Sequence, residues 1–277
     1  MPLLSPKEVL KLKLSCINVP LLRNLAHNLG VNNTGTGAEI IKRILRQGVS
    51  ADIIDRFIKE MYSERIKERR AVISDEDLKK ELTKVKDFSW GTVQGQLDQK
   101  IQSEYVRVFV RYDELLRNVE AQLHPDVTNY VICTWYNHWT TILIEEQISL
   151  HERVVPTLKS VKGTDIFFDG QPFDLKVTYL PRNYDPTEAA KQPQQLAIWM
   201  YENQGAQRFG ADNRFFVILF DKREPERSWE LKRNFPLISE RVNDFFDTAK
   251  VSEEDEVVFT FNQRTYTAVT KVLIITT

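Results

Sequence analysis

The sequence predicts a mixed α/β protein with a small all-helical segment in front. Three observations carry this. Apolar residues recur every three or four positions through residues 7–62 and again through 93–153, the helical period. The period then falls to two across 164–168 and 172–179, with the hairpin signal Asp169-Gly170 between them. Helical and strand-like stretches alternate from there to residue 275, which predicts one domain built on a mixed sheet.

Each element has a local reason. Leu21, Leu22, Leu25, Ala26 and Leu29 keep helical spacing up to Gly30, a helix stop. Thr34-Gly35-Thr36-Gly37 makes a turn, and Ile40, Ile41, Ile44 and Leu45 line a second helix. Ile53, Ile54, Phe57, Ile58 and Met61 line a third, over 51–62. Residues 63–86 are dense in charge, poor in large apolar residues and free of Gly and Pro, which predicts an exposed helical connector. The expected division is therefore 1–62, a connector 63–90, and 91–277. Leu97, Ile101, Tyr105, Val108, Tyr112, Leu115, Val119 and Leu123 predict one long helix or two, broken at His124-Pro125. Asp126 is placed to cap the next helix, to about 153. Beyond the hairpin a helix is expected over 188–204, a strand over 215–220, a helix over 236–249, and strands over 257–261 and 265–275.

Composition narrows the function. Of 277 residues 42% are hydrophobic and 28% charged, the profile of an ordinary globular chain. The two cysteines, Cys16 and Cys133, are too few for a disulfide framework or a four-ligand zinc site. The longest apolar run, 215–220, is far too short for a bilayer, and the N-terminus lacks the features of a signal peptide. An intracellular, cytoplasmic protein is expected. The formal charge of −1 hides an asymmetry: residues 1–86 carry 17 Lys/Arg against 11 Asp/Glu, and the rest 21 against 28. A basic front hints at nucleic acid, and a solvated surface is the competing reading.

The chemistry concentrates in Gly163-Thr164-Asp165-Ile166-Phe167-Phe168-Asp169-Gly170-Gln171-Pro172-Phe173-Asp174-Leu175-Lys176. With Asp169-Gly170 as a two-residue turn, Asp165 faces Asp174 across the hairpin. Lys176 then shares their face, while Ile166, Phe168, Phe173, Leu175 and Val177 form an apolar reverse face. Opposed carboxylates repel unless something neutralises them. A hard divalent cation would, held by Asp165, Asp174 and a backbone carbonyl; such donors suit Mg²⁺. Lys176 would orient or deprotonate the attacking water, or steady charge developing on a phosphate. The competing reading is an Asp–Lys salt bridge on a solvated face. A third acid is sought on the preceding helix. Glu146 lies on the apolar stripe of Trp135, Trp139, Ile142, Leu143 and Leu150, where a carboxylate needs a partner. It is preferred, with Glu145 the alternative.

A helix bearing an acid, then Asp, a short turn, Asp-x-Lys, and a further helix and strands resembles the PD-(D/E)xK nuclease superfamily, the restriction-endonuclease-like fold. The resemblance spans residues 91–277, with Thr164 where the family has proline. It implies that Asp165, Asp174, the Leu175 carbonyl and Glu146 or Glu145 bind Mg²⁺, for which Mn²⁺ can substitute, and that Lys176 acts on the water. It also implies a catalytic Gln at Gln195, with Trp199 one turn on. Residues 17–45, with Leu21-Leu22-x-x-Leu25-Ala26 and Leu29-Gly30-Val31, are similar to a SAP motif, which binds duplex DNA. Gly37 replaces the usual Lys there. Lys42, Arg43 and Arg46 remain as phosphate contacts, and Arg182 lies in the 179–185 loop expected to meet DNA. Together the two resemblances imply a double-stranded DNA endonuclease, chiefly a type II restriction enzyme acting as a homodimer in a prokaryotic or phage setting. A repair, recombination or phage-type nuclease, or a silent DNA-binding protein, is the alternative.

Overall fold

Asp169 and Gly170 make the tight turn. Both have positive φ, +48° and +75°, and Phe168 pairs directly with Gln171. Those dihedral signs are the ones a two-residue turn needs to match strand twist. The computed structural model describes residues 3–88, 97–205 and 212–277. The turn joins β2 (Thr164–Phe168) to β3 (Gln171–Tyr179) in a six-stranded mixed sheet. The other strands are β1 (Val154–Val161), β4 (Arg214–Phe220), β5 (Glu256–Phe261) and β6 (Arg264–Thr276), in the order β1-β2-β3-β4-β6-β5. Strands β1, β2 and β3 run antiparallel. Strand β4 is parallel to both β3 and β6, and β5 is antiparallel to β6.

Strand β1 was not expected. Proline interrupts a strand's ladder and is tolerated at edges. Pro156 lies inside β1, which is the sheet's edge, and the register shifts between Pro156 and Val161. The Cys16 carbonyl accepts from the Leu158 and Lys159 N–H groups at 3.1 and 3.0 Å, covering part of that edge.

Four helices open the chain: α1 (Pro6–Ser15), α2 (Val19–Asn28), α3 (Gly37–Arg46) and α4 (Ala51–Val72). Ser5 and Thr36 start α1 and α3 with capping boxes to Glu8 and Glu39. Lys13 ties α1 to Asp55 of α4 at 2.7 Å. Their core, including Leu14, Leu22, Leu25, Ile40, Ile44 and Ile58, is shared with Val155 and Phe167 of the sheet. The expected boundary at 62 thus falls inside α4, and the three-part division is corrected. Met1–Val72 and Glu145–Thr277 form one compact unit, and Ile73–Ile144 a second.

The second unit holds α5 (Asp75–Leu82), α6 (Leu97–Lys100), a π-helical turn Ile101–Val106, α7 (Tyr112–Asn118) and a π-helical turn Val119–Leu123. The expected helix start at 93 lies outside the described residues. Helix α8 (His124–Ser149) begins in this unit, with Pro125 in its first turn, where proline is tolerated, so His124-Pro125 does not break the helical run. Asp126 pairs with Lys100.

Alternation along the strands gives the sheet two faces. Phe168 of one face meets Phe246 of α11 (Phe235–Thr248) at 4.8 Å between ring centroids, and Phe215 meets Phe245 at 5.1 Å. On the other face Phe167 joins the front helices, while Phe216 packs edge-on to Tyr201 at 5.7 Å. Tyr201 follows α10 (Pro193–Met200); the helix expected over 188–204 is split, with α9 (Pro186–Lys191) before it, because Pro193 restarts the turn. Asp165, Asp174 and Lys176 occupy this second face. Among the described residues no helix is long and apolar enough to cross a membrane.

Gly163 makes the β1–β2 turn at φ +74°, and a Cβ there would lie 2.5 Å from the Asp212 carboxyl carbon. Gly163→Ala is expected to cost about 1–3 kcal/mol in denaturant unfolding. An unchanged midpoint would contradict this packing.

Candidate active site

The hairpin ladder pairs Phe168 with Gln171, Phe167 with Pro172 and Ile166 with Phe173, and stops there. One step on, the chains turn to other partners. The Asp174 N–H donates to the Asn213 carbonyl at 2.8 Å, and the Leu175 N–H donates to Asp165 Oδ2 at 2.9 Å. The opened ladder leaves Asp165 and Asp174 next to each other on one face, with Asp165 bonded to the backbone N–H that follows Asp174. Asp165 is exposed on its outer side, yet the protein packed around it raises its pKa, and the Asp174 charge adds to this. The Leu175 N–H and Lys176 pull the other way.

Asp174 is the buried member, 8% exposed, and both its oxygens meet cations. Lys176 Nζ lies 2.8 Å from Oδ1 and Arg214 Nε 3.3 Å from Oδ2. Arg214 sits opposite Asp174 in the β3–β4 register and is 1% exposed. Its guanidinium lies 4.8 Å from the centroid of the Tyr201 ring, within cation–π range. Burial raises the Tyr201 phenol pKa. Sequence reading missed Arg214. The available signal was a charged residue opening the otherwise apolar run 214–220, since a buried charge needs a partner.

The two glutamates of α8 part company. Glu146 accepts from Arg69 of α4, Nε to Oε1 at 3.1 Å with a second bond from Nη2 to Oε2. The partner required by a carboxylate on the apolar stripe is therefore Arg69. Glu145 is the one that feels the aspartates: burial foremost, then Asp165, raises its pKa to about 7, with Asp174 adding and Lys176 and Lys232 opposing. The structure thus brings Glu145 rather than the preferred Glu146 toward the pair. Lys232, in the 3₁₀ segment Pro225–Arg233, is 1% exposed and lies 5.5 Å from the Tyr179 ring centroid. Burial lowers its pKa to about 7 against the pull of Glu145. It was missed because the charged stretch around it reads as a solvated loop.

The remaining candidates lie apart from this cluster of contacts. Gln195 is exposed on α10 and makes no side-chain hydrogen bond among the described residues; Trp199 packs edge-on to Tyr184 at 5.9 Å. Arg182 is exposed and paired with Glu226 at 3.1 Å. Lys42 and Arg46 are exposed on α3. Arg43 is committed to the fold, since its Nη1 donates to the Asn32 and Thr34 carbonyls at 3.1 and 2.6 Å and braces the α2–α3 connection. Cys16 and Cys133 are buried free thiols. Burial pushes Cys16 up to about 12.

Among the described residues no three His, Cys, Asp or Glu side chains stand grouped to hold a metal ion. Mg²⁺ does not demand three, because it binds through one or two carboxylates, keeps several waters and takes substrate phosphate oxygens. Asp165 and Asp174, with the Leu175 carbonyl, are hard oxygen donors throughout. The donor set fits.

Glu145 gives a pH test. Its folded pKa is raised, so between about 4.5 and 7 the folded chain keeps a proton that the unfolded chain loses, and stability falls as pH rises through that window. Glu145→Gln removes the cost. Its melting temperature should exceed the wild type's at pH 8, with the gain vanishing near pH 4.5. Equal differences at both pH values would contradict a raised Glu145.

Comparison with protein-family models, with curated proteins and with solved structures gives no match for this chain.

Proposed function

We propose that the chain is a Mg²⁺-dependent double-stranded DNA endonuclease of the PD-(D/E)xK kind, chiefly a type II restriction enzyme working as a homodimer. The observation that carries this reading is the juxtaposition of Asp165 and Asp174 at the end of the hairpin ladder, with the Leu175 N–H on Asp165 and Lys176 on Asp174. The order of elements supports it: helix α8, three antiparallel strands, helices α9 and α10, then β4 parallel to β3.

Bound Mg²⁺ would polarise the scissile phosphate and acidify the attacking water. Asp165 and Asp174 would hold it with the Leu175 carbonyl. The Leu175 N–H holds the Asp165 carboxyl group, and Arg214 stands against Asp174 Oδ2 and orients it. Lys176 projects from the same face and is the solvent-reaching cation that would orient water or meet charge on a phosphate oxygen. Glu145, near pKa 7, can take a proton at neutral pH. Exposed Lys42 and Arg46 supply backbone contacts that add salt-dependent affinity without reading sequence.

A second reading has its own support. Both Asp174 oxygens already have cationic partners, as they would in a DNA-binding protein that has lost catalysis. Plasmid incubated with Mg²⁺, with Ca²⁺ and with EDTA separates the readings. Discrete fragments with Mg²⁺ alone indicate restriction-type cutting, a smear a repair or phage-type nuclease, and binding without cutting the silent protein. Lys176→Ala should lower cleavage at least about 100-fold with DNA binding kept. Wild-type cleavage by that variant would remove Lys176 from the site.

A further inference from the structure

The carboxylates of the site are already matched by cations of the chain. Asp165, Asp174 and Glu145 can carry three negative charges. Lys176 and Arg214 lie on Asp174, and Lys232 acts on Glu145. A divalent cation arriving at Asp174 meets two cations already in place, and neither oxygen of that carboxyl group is clear of one.

The three cations differ in freedom. Arg214 and Lys232 are each 1% exposed, walled in by protein. Arg214 is further held against the Tyr201 ring at 4.8 Å. The Lys176 side chain is 37% exposed, at the end of a flexible four-carbon stem. Of the two cations on Asp174 it alone can leave for solvent or for a phosphate, and its departure frees Oδ1 of that cation. An ammonium is a compact charge that a phosphodiester oxygen satisfies as well as a carboxylate does.

We propose that Lys176 is a latch: its ion pair with Asp174 keeps a divalent cation out of the free protein, and the nucleic-acid backbone opens the site by drawing the ammonium onto a phosphate. The latch rests on the nuclease reading and adds regulation to it. Metal loading and DNA binding are then reciprocally coupled, each raising the affinity for the other by the same factor. A free protein with an unloaded site also has no means of cutting before DNA is seated.

Mn²⁺ binding, followed by the electron paramagnetic resonance signal of the free ion, tests this without any turnover. The full chain is compared with Lys176→Met and Lys176→Arg, each with and without a non-hydrolysable phosphorothioate duplex. Without duplex, Lys176→Met should bind Mn²⁺ at least tenfold more tightly than the wild type. Lys176→Arg, which keeps the charge, should stay weak. The duplex should tighten the wild type at least tenfold and Lys176→Met little. Asp174→Asn should abolish the gain of Lys176→Met. Equal or weaker Mn²⁺ binding by Lys176→Met overturns the latch, and wild-type plasmid cleavage alongside that result leaves the nuclease reading standing. No Mn²⁺ binding by any variant, with or without duplex, overturns both.

Discussion

A two-residue turn governs the rest of the molecule. With positive φ at Asp169 and Gly170, Phe168 can face only Gln171, and every later pair follows. The turn is braced from outside, where Asp169 Oδ2 accepts the Val251 N–H at 2.7 Å and Arg153 stands 3.7 Å from Oδ1. One added residue would invert one strand, because side chains alternate. Phe168 or Phe173 would then leave the α11 side, and Asp165 or Asp174 would enter it. Burying each large apolar side chain contributes about 1.5–3 kcal/mol, so Ile166, Phe167, Phe168 and Phe173 together pin the register that also sets the acids side by side. Core packing and site geometry are the same constraint seen from opposite faces.

The second constraint is electrostatic. A fold that forces two carboxyl groups together must hold the charge somewhere. Here the backbone N–H of Leu175 takes part of it, Lys176 and Arg214 take more, and protonation of Glu145 up to about pH 7 takes the remainder. Two of the cations near the acids are buried, which is costly on its own account and tolerable because each has an acid or a ring to face. The front helices shape the edge of this cluster. Cys16, at the end of α1, feels both Lys159 and Asp165, and Phe167 beside Asp165 packs into the front core. Residues 1–72 of the basic front and residues 145–277 of the acidic rear, distant in the sequence, are thus parts of one compact unit.

Local features were legible in the sequence and distant ones were not. Strands β2 and β3 and their register follow from residues within 14 positions of one another, Gly163 to Lys176 with the turn between, so period and turn chemistry sufficed. Strand β1 escaped because Pro156 weakens the strand signal and only its edge position makes proline acceptable. Choosing between Glu145 and Glu146 required knowing that Arg69, 77 residues earlier, would lie against α8. The same Arg69 explains why residues 63–72 are part of a packed helix although their charge density suggests a solvated connector. Arg214 and Lys232 reach the acids from β4 and from the 3₁₀ segment after it, and no local pattern reports such convergence. The α2–α3 turn shows the opposite error: Arg43 looks like a phosphate contact by spacing, while the carbonyls of Asn32 and Thr34 engage it.

The proposed function requires Asp165 and Asp174 to hold a divalent cation when DNA is present. Anomalous scattering from crystals grown with Mn²⁺ and a DNA duplex tests it most directly. The expected result is a metal peak at the two carboxylates, with Lys176 withdrawn from Asp174. A DNA-bound structure with no peak there, and Lys176 still paired with Asp174, would contradict it.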